Sequence, residues 1–187
     1  MKGLLLAALV LAGCAPSVPP YYPDPLVRVI PSGSPPEMLQ PGFEPVAVAN
    51  NLLMSARDRF GESAVRRALS APAYLFAKHY PGMLPPLPPG ASPPPIPVAM
   101  LMREGNRWVA ATPDGFRSVL RDKSEAIDAI LADRAFWASP DYAPPTCTDA
   151  GASLLLVKLP GRPETARRGA CGPSQRTEQL VMLALDG

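Results

Sequence analysis

The sequence predicts an α+β protein, with an antiparallel sheet of about five strands, helices packed on one side of it, and a short helical segment and proline-rich connectors before it. Three observations carry that expectation. Residues 98–120 and 152–171 hold short apolar runs separated by turn residues, as hairpins do. Residues 46–70 and 124–131 place their apolar side chains at helical spacing. Proline is concentrated in two tracts, ten of the 31 residues 15–45 and nine of the 17 residues 81–97. Each proline removes an amide donor and holds φ, so neither tract can join a regular helix or a central strand.

The chain starts with Lys2 and a run of nine apolar residues, Leu4 to Ala12, followed by Gly13 and Cys14. A short positive end, an apolar stretch and small residues at its close form the layout of a secretory signal. As a helix this run rises about 14 Å, against a hydrocarbon core of about 30 Å, so it is too short for an ordinary membrane span. Leu11-Ala12-Gly13-Cys14 resembles the lipobox of bacterial lipoproteins, and the resemblance covers the first fifteen residues. It implies a signal peptide at 1–13 that is removed, a diacylglyceryl group on the Cys14 thiol and an acylated new amine. Two or more chains make anchoring stable where one alone is marginal. Ala15, where Asp would favour inner-membrane retention, implies the outer membrane facing the periplasm. The alternatives are the outer face of the inner membrane, or an ordinary signal peptide on a secreted protein with Cys14 in a disulfide.

Residues 14–45 then read as the lipid attachment and a proline-rich stalk, extended and polyproline-like. Within 46–80, the helical segment, Val46, Ala49, Leu53, Ala56 and Phe60 share a helical face, and Gly61 reads as a stop. Residues 62–70 form a second helix with Val65, Ala68 and Leu69 inward, and Pro72 can open a further helical turn through Tyr74, Phe76, Ala77 and Tyr80. Residues 81–97 are a second proline-rich linker; a docking ligand of the PxxP kind is the competing reading.

Residues 98–187 are expected to form a disulfide-stapled α+β domain. Gly105-Asn106 suits a two-residue hairpin loop with Trp108 as the aromatic anchor beyond it. Thr112-Pro113-Asp114-Gly115 is a turn, leading into a third strand at 116–120. Ser124 is the expected cap of a helix whose Ile127, Ile130 and Leu131 face inward. Residues 141–150 read as loop, and 152–159 with a more polar return strand to Cys171 read as a second hairpin turning at 160–163. Ser174 opens a last helix with Leu180, Val181 and Ala184 inward, although the run LVMLAL alone also suits a strand.

With Cys14 given to lipid, Cys147 and Cys171 remain, an even number in an oxidising compartment. They bracket the second hairpin, and closing a loop of about 25 residues constrains the unfolded chain by roughly 3.5 kcal/mol on the chain-entropy view. A disulfide is therefore expected between them. A metal or redox pair is the rival, but the spacing is unlike CxxC and no histidine lies nearby to complete a zinc site.

Charge and motifs narrow the function further. Eighteen basic against 16 acidic residues leave a formal charge of +2, and loss of residues 1–13 takes Lys2 with it, so no electrostatic footprint for nucleic acid is present. The sequence contains no GxxxxGK[ST] or GxGxxG phosphate cradle, no GxSxG elbow and, with the single histidine His79, no HExxH. No cofactor is expected. Ser63 and Ser70 are explained by helix-end chemistry, Glu125 and Asp128 by a charged helix surface, and Arg66-Arg67 and Arg167-Arg168 by surface ion pairs. The resulting expectation is a noncatalytic envelope lipoprotein that meets another envelope protein or peptidoglycan. The alternative is an enzyme acting on cell-wall glycan or peptide through residues separated in the chain.

Overall fold

The computed structural model describes residues 45–82, 87–88, 90–138, 151–169 and 176–187. Cys14, Cys147 and Cys171, with the disulfide expected between the last two, the expected signal peptide and the expected stalk up to residue 44 lie outside these residues.

The first described residue, Pro45, whose fixed φ suits a first helical position, opens α1, Pro45–Phe60. Val48, Ala49, Leu52, Leu53 and Ala56 form its buried stripe. Gly61, at φ 86, breaks the helix where the sequence places the stop. The next helix, α2, covers Glu62–Ser70 and buries Val65 and Ala68. It ends at Ala71, whose ψ of 153 is the extended conformation imposed by a following proline.

Here the expectation of another helical turn from Pro72 fails. Residues Tyr74–Tyr80 are a strand, β1. The reason lies in its company: β1 pairs antiparallel with two neighbours and is covered on both faces, so its aromatic and aliphatic residues run without the alternation that marks a half-exposed strand.

The remaining elements are β2 (Val98–Glu104), β3 (Arg107–Thr112), β4 (Gly115–Ser118), α3 (Arg121–Ala132), α4 (Arg134–Ala138), β5 (Ala152–Lys158), β6 (Thr165–Gly169) and α5 (Arg176–Leu185). Gly105, at φ 58, turns β2 into β3. Thr112 and Gly115 face each other across the next turn, and Arg107 pairs with Glu104 across the first. Helix α3 begins three residues before the expected cap: Leu120 occupies the N-cap without a side-chain hydrogen bond, and the Ser124 N–H already donates to the Leu120 carbonyl at 2.9 Å. The short α4 had no expectation behind it.

The fold is α+β, as expected, with an open antiparallel sheet in the order β4-β3-β2-β1-β5-β6. It has six strands where about five were expected, the extra one being β1. Helices also cover both faces and not one. Tyr74, Phe76, Met100, Met102, Leu154 and Leu156 pack against α1 and α2. Leu75, Leu101, Trp108, Leu155, Val157 and their neighbours pack against α3, α4 and α5. Two covers are needed because the central strands carry large apolar residues at both parities, and leaving either face wet would forfeit about 25 cal/mol for each Å² of apolar area. Since β1 and β2 are hydrogen-bonded neighbours, residues 81–97 join adjacent strands of one sheet, and the segment 46–80 shares its core with the residues that follow.

Candidate functional site

Strand parity decides where each polar residue of β1 goes. Lys78 follows Tyr74 and Phe76 onto the α1 face and is 8% exposed. Asn51 and Ser55, one helical turn apart on α1, meet it there. The Lys78 Nζ donates to Asn51 Oδ1 at 3.0 Å and to Ser55 Oγ at 2.9 Å. Tyr80, next on the same parity, donates its hydroxyl to Asn51 Oδ1 at 3.1 Å and lays its ring 4.6 Å from Nζ. A cleft of about 330 Å³ opens beside this group, lined by Ser55, Asp58, Arg59, Lys78, Ile96 and Val98.

Burying an ammonium is costly unless its protons find acceptors. Two of the three do, and both acceptors are neutral. Ser55 beside Lys78 has the residue types of a nucleophile and base. However, it sits inside α1, where backbone N–H groups are committed to the helical ladder and leave no donors for an oxyanion. What the arrangement can do is hold an acceptor group against a cation.

A second cleft, of about 400 Å³, lies at the opposite end of β1 and includes Ala73, Arg103, Asp128, Leu131, Leu159 and Pro160 in its lining. Arg103 forms an ion pair with Asp128 and stacks 5.0 Å from the centre of the Trp108 ring. Trp108, itself fully buried, donates Nε1–H to Asp128 Oδ1 at 2.9 Å. Charge is matched here within the protein. Replacing Asp128 with Ala strips both donors of their acceptor and is expected to lower stability by about 1–3 kcal/mol, read as a fall in the urea midpoint. An unchanged midpoint would show the triad to be dispensable.

The residues weighed from sequence are dispersed. His79 places Nδ1 3.0 Å from Ser153 Oγ across the β1–β5 pair, but Ser153 is 1% exposed and closed to any substrate. Glu125 and Asp128 do not act together: Glu125 accepts from Arg121 at 2.8 Å, while Asp128 is taken by Arg103 and Trp108. Ser70 donates to the Arg67 carbonyl at 2.7 Å, which is helix-end chemistry, and Ser63 is exposed in the first turn of α2. Arg66 pairs with Glu62 within α2, and Arg67 pairs with Glu104 on β2 while lying over the Phe116 ring. Arg167 on β6 lies 4.4 Å from the Phe136 ring centre and donates to the Trp137 carbonyl. Arg168, beside it, is half-buried.

Lys78 was not among the residues the sequence singled out. The signal was present as a single lysine inside the aromatic run YLFAKHY, but its meaning depends on that run being a central strand. Among the described residues there is no group of three His, Cys, Asp or Glu side chains able to hold a metal ion. No helix among them is long and apolar enough to cross a membrane. No family model, curated protein or solved structure matches the chain.

Proposed function

We propose that the chain is a bacterial lipoprotein held by acyl chains on Cys14, whose α+β domain serves as a noncatalytic recognition module for another envelope component, a protein or peptidoglycan. The observation that carries this is the apolar run Leu4 to Ala12 closing on Leu11-Ala12-Gly13-Cys14. A core of its own is the second support: described residues between Val48 and Ala184 bury both faces of one sheet, a scaffold able to present a surface. Between anchor and body lie the prolines of residues 15–44, whose composition favours an extended spacer, Pro45 already opening α1. Ala15 favours the periplasmic face of the outer membrane, and Cys147 with Cys171 would staple the β5–β6 hairpin in that oxidising space.

The test is metabolic labelling with palmitate followed by membrane fractionation. The wild-type chain is expected to incorporate label and sediment with outer membranes. Cys14→Ser is expected to lose the label completely and to stay unprocessed at its signal peptide. Unlabelled wild-type chain recovered from the cytosol would overturn the proposal.

A further inference from the structure

Among the described residues, Lys78 is the buried charged side chain. Its hydrogen-bond acceptors are an amide and a hydroxyl, and no carboxylate among the described residues stands within ion-pair distance of Nζ. The second cleft, at Arg103 near the other end of β1, differs in this respect, since Asp128 already neutralises its cation. Beyond those two acceptors the described contact of Nζ is the Tyr80 ring, 4.6 Å from its centre, so one ammonium proton has no hydrogen-bond acceptor among the described residues. A ring face satisfies such a proton less well than an anion does.

The cleft's other walls narrow the occupant. Arg59 and Asp58 stand on its α1 side and nearly cancel each other, so with Lys78 the site carries about one net positive charge. A monoanion matches that, whereas a dianion would leave a net negative charge in the cleft beside Asp58. Ile96 and Val98 supply an apolar wall, and Asp58 offers an acceptor for an N–H. A volume of about 330 Å³ lies at the lower end of the range of about 300–1,000 Å³ for small-ligand pockets. It suits the end of a chain and not a folded surface.

We infer that the cleft between α1 and the start of β2 binds the carboxyl terminus of a short peptide ending in small apolar residues, with Lys78 Nζ on the carboxylate. This rests on the recognition reading above and names its ligand. Free peptide ends of this kind occur both on wall peptides and on protein chains, and the shared chemistry is a carboxylate on a small apolar residue.

The experiment titrates the full chain with N-acetyl-alanyl-alanine and with the same peptide ending in a carboxamide, following backbone amide shifts. The carboxylate form is expected to shift residues of α1 and β2 around the cleft and to bind at least tenfold tighter than the amide. Lys78→Met, which keeps an unbranched stem without the charge, is expected to remove that preference, and Arg59→Ala to weaken binding severalfold. Equal binding of the two peptides, or none, overturns the assignment without recourse to any variant. Displacement by equimolar inorganic phosphate also overturns it, in favour of a general anion site. Recovery of the bound peptide uncleaved supports cleft and noncatalytic reading together. Selective binding with cleavage would support the cleft and overturn the noncatalytic reading. Failure to bind leaves the lipid anchor standing, because palmitate labelling tests that separately.

Discussion

Truncating Phe76 to Ala is expected to destabilise the fold by about 3–5 kcal/mol, the largest effect of any single change considered. Phe76 is fully buried on β1, the third strand from one edge and fourth from the other, and it touches the core beneath α1 and α2. Its register partners are Met100 on β2 and Leu156 on β5, both also fully buried. A cavity there cannot be relieved by a side chain moving in from solvent, because the strand on each side is hydrogen-bonded in place. Against a total stability of about 5–15 kcal/mol for a domain, such a loss removes a large part of the margin. Urea denaturation followed by circular dichroism measures it. A loss under about 1 kcal/mol would mean that the site collapses freely and that β1 is not the centre of the core.

Gly151→Ala is expected to be nearly as damaging, through backbone and not through packing. Gly151 has φ 77, and a Cβ there would stand 2.4 Å from the Tyr80 carbonyl oxygen and 2.8 Å from the Gly82 nitrogen. Neither atom can rotate away as a side-chain tip would. The left-handed conformation alone costs a non-glycine residue about 1–2 kcal/mol, and the clash adds displacement of the entry to β5 from the end of β1. Gly161→Ala is the matched control: φ is 72 at that position, but nothing lies within 4 Å of the added carbon. The stability difference between the two variants therefore isolates the close approach. If Gly151→Ala unfolds at the same urea concentration as Gly161→Ala, the approach of the two chain segments is wrong.

These two positions also lie on either side of what could be read from the chain. Gly61, Gly105-Asn106 and the turn from Thr112 to Gly115 act through their own backbones, so their effects on chain direction are local and legible. Ala49, Leu53 and Ala56 of the α1 stripe and the buried pair Val65 and Ala68 of α2 are equally local, since a helix reads its own neighbours at three and four residues. Val48 and Leu52, however, are buried in place of the expected Val46 and Phe60, which are half-buried. Ser124 misled for a related reason. Serine is a good cap in isolation, but Arg121 and Asp122 extend the helix backwards and Arg121 gains Glu125 one turn on.

The site was less legible than the fold. Lys78, Asn51 and Ser55 are 27 and 23 residues apart in sequence, and they come together only after β1 pairs and α1 covers it. A lysine in an aromatic run has no chemistry until its neighbours are known. Glu125 and Asp128 show the converse, a spacing that suggests a pair and a fold that gives each a different cation.

By itself, then, the sequence determined the α+β class, the two helices before β1 and the hairpin turns, because each is set by backbone preferences and periodicities within a few residues, whereas the final run LVMLAL suited helix and strand alike. Only the tertiary structure decided that Tyr74–Tyr80 is a central strand, that both sheet faces are covered, and that a buried ammonium borders an open cleft. Those outcomes depend on which distant segments remove the same residues from water. Apolar burial has no direction along the chain, so a run that is apolar at every position fits a helix or a doubly covered strand equally well until its neighbours arrive.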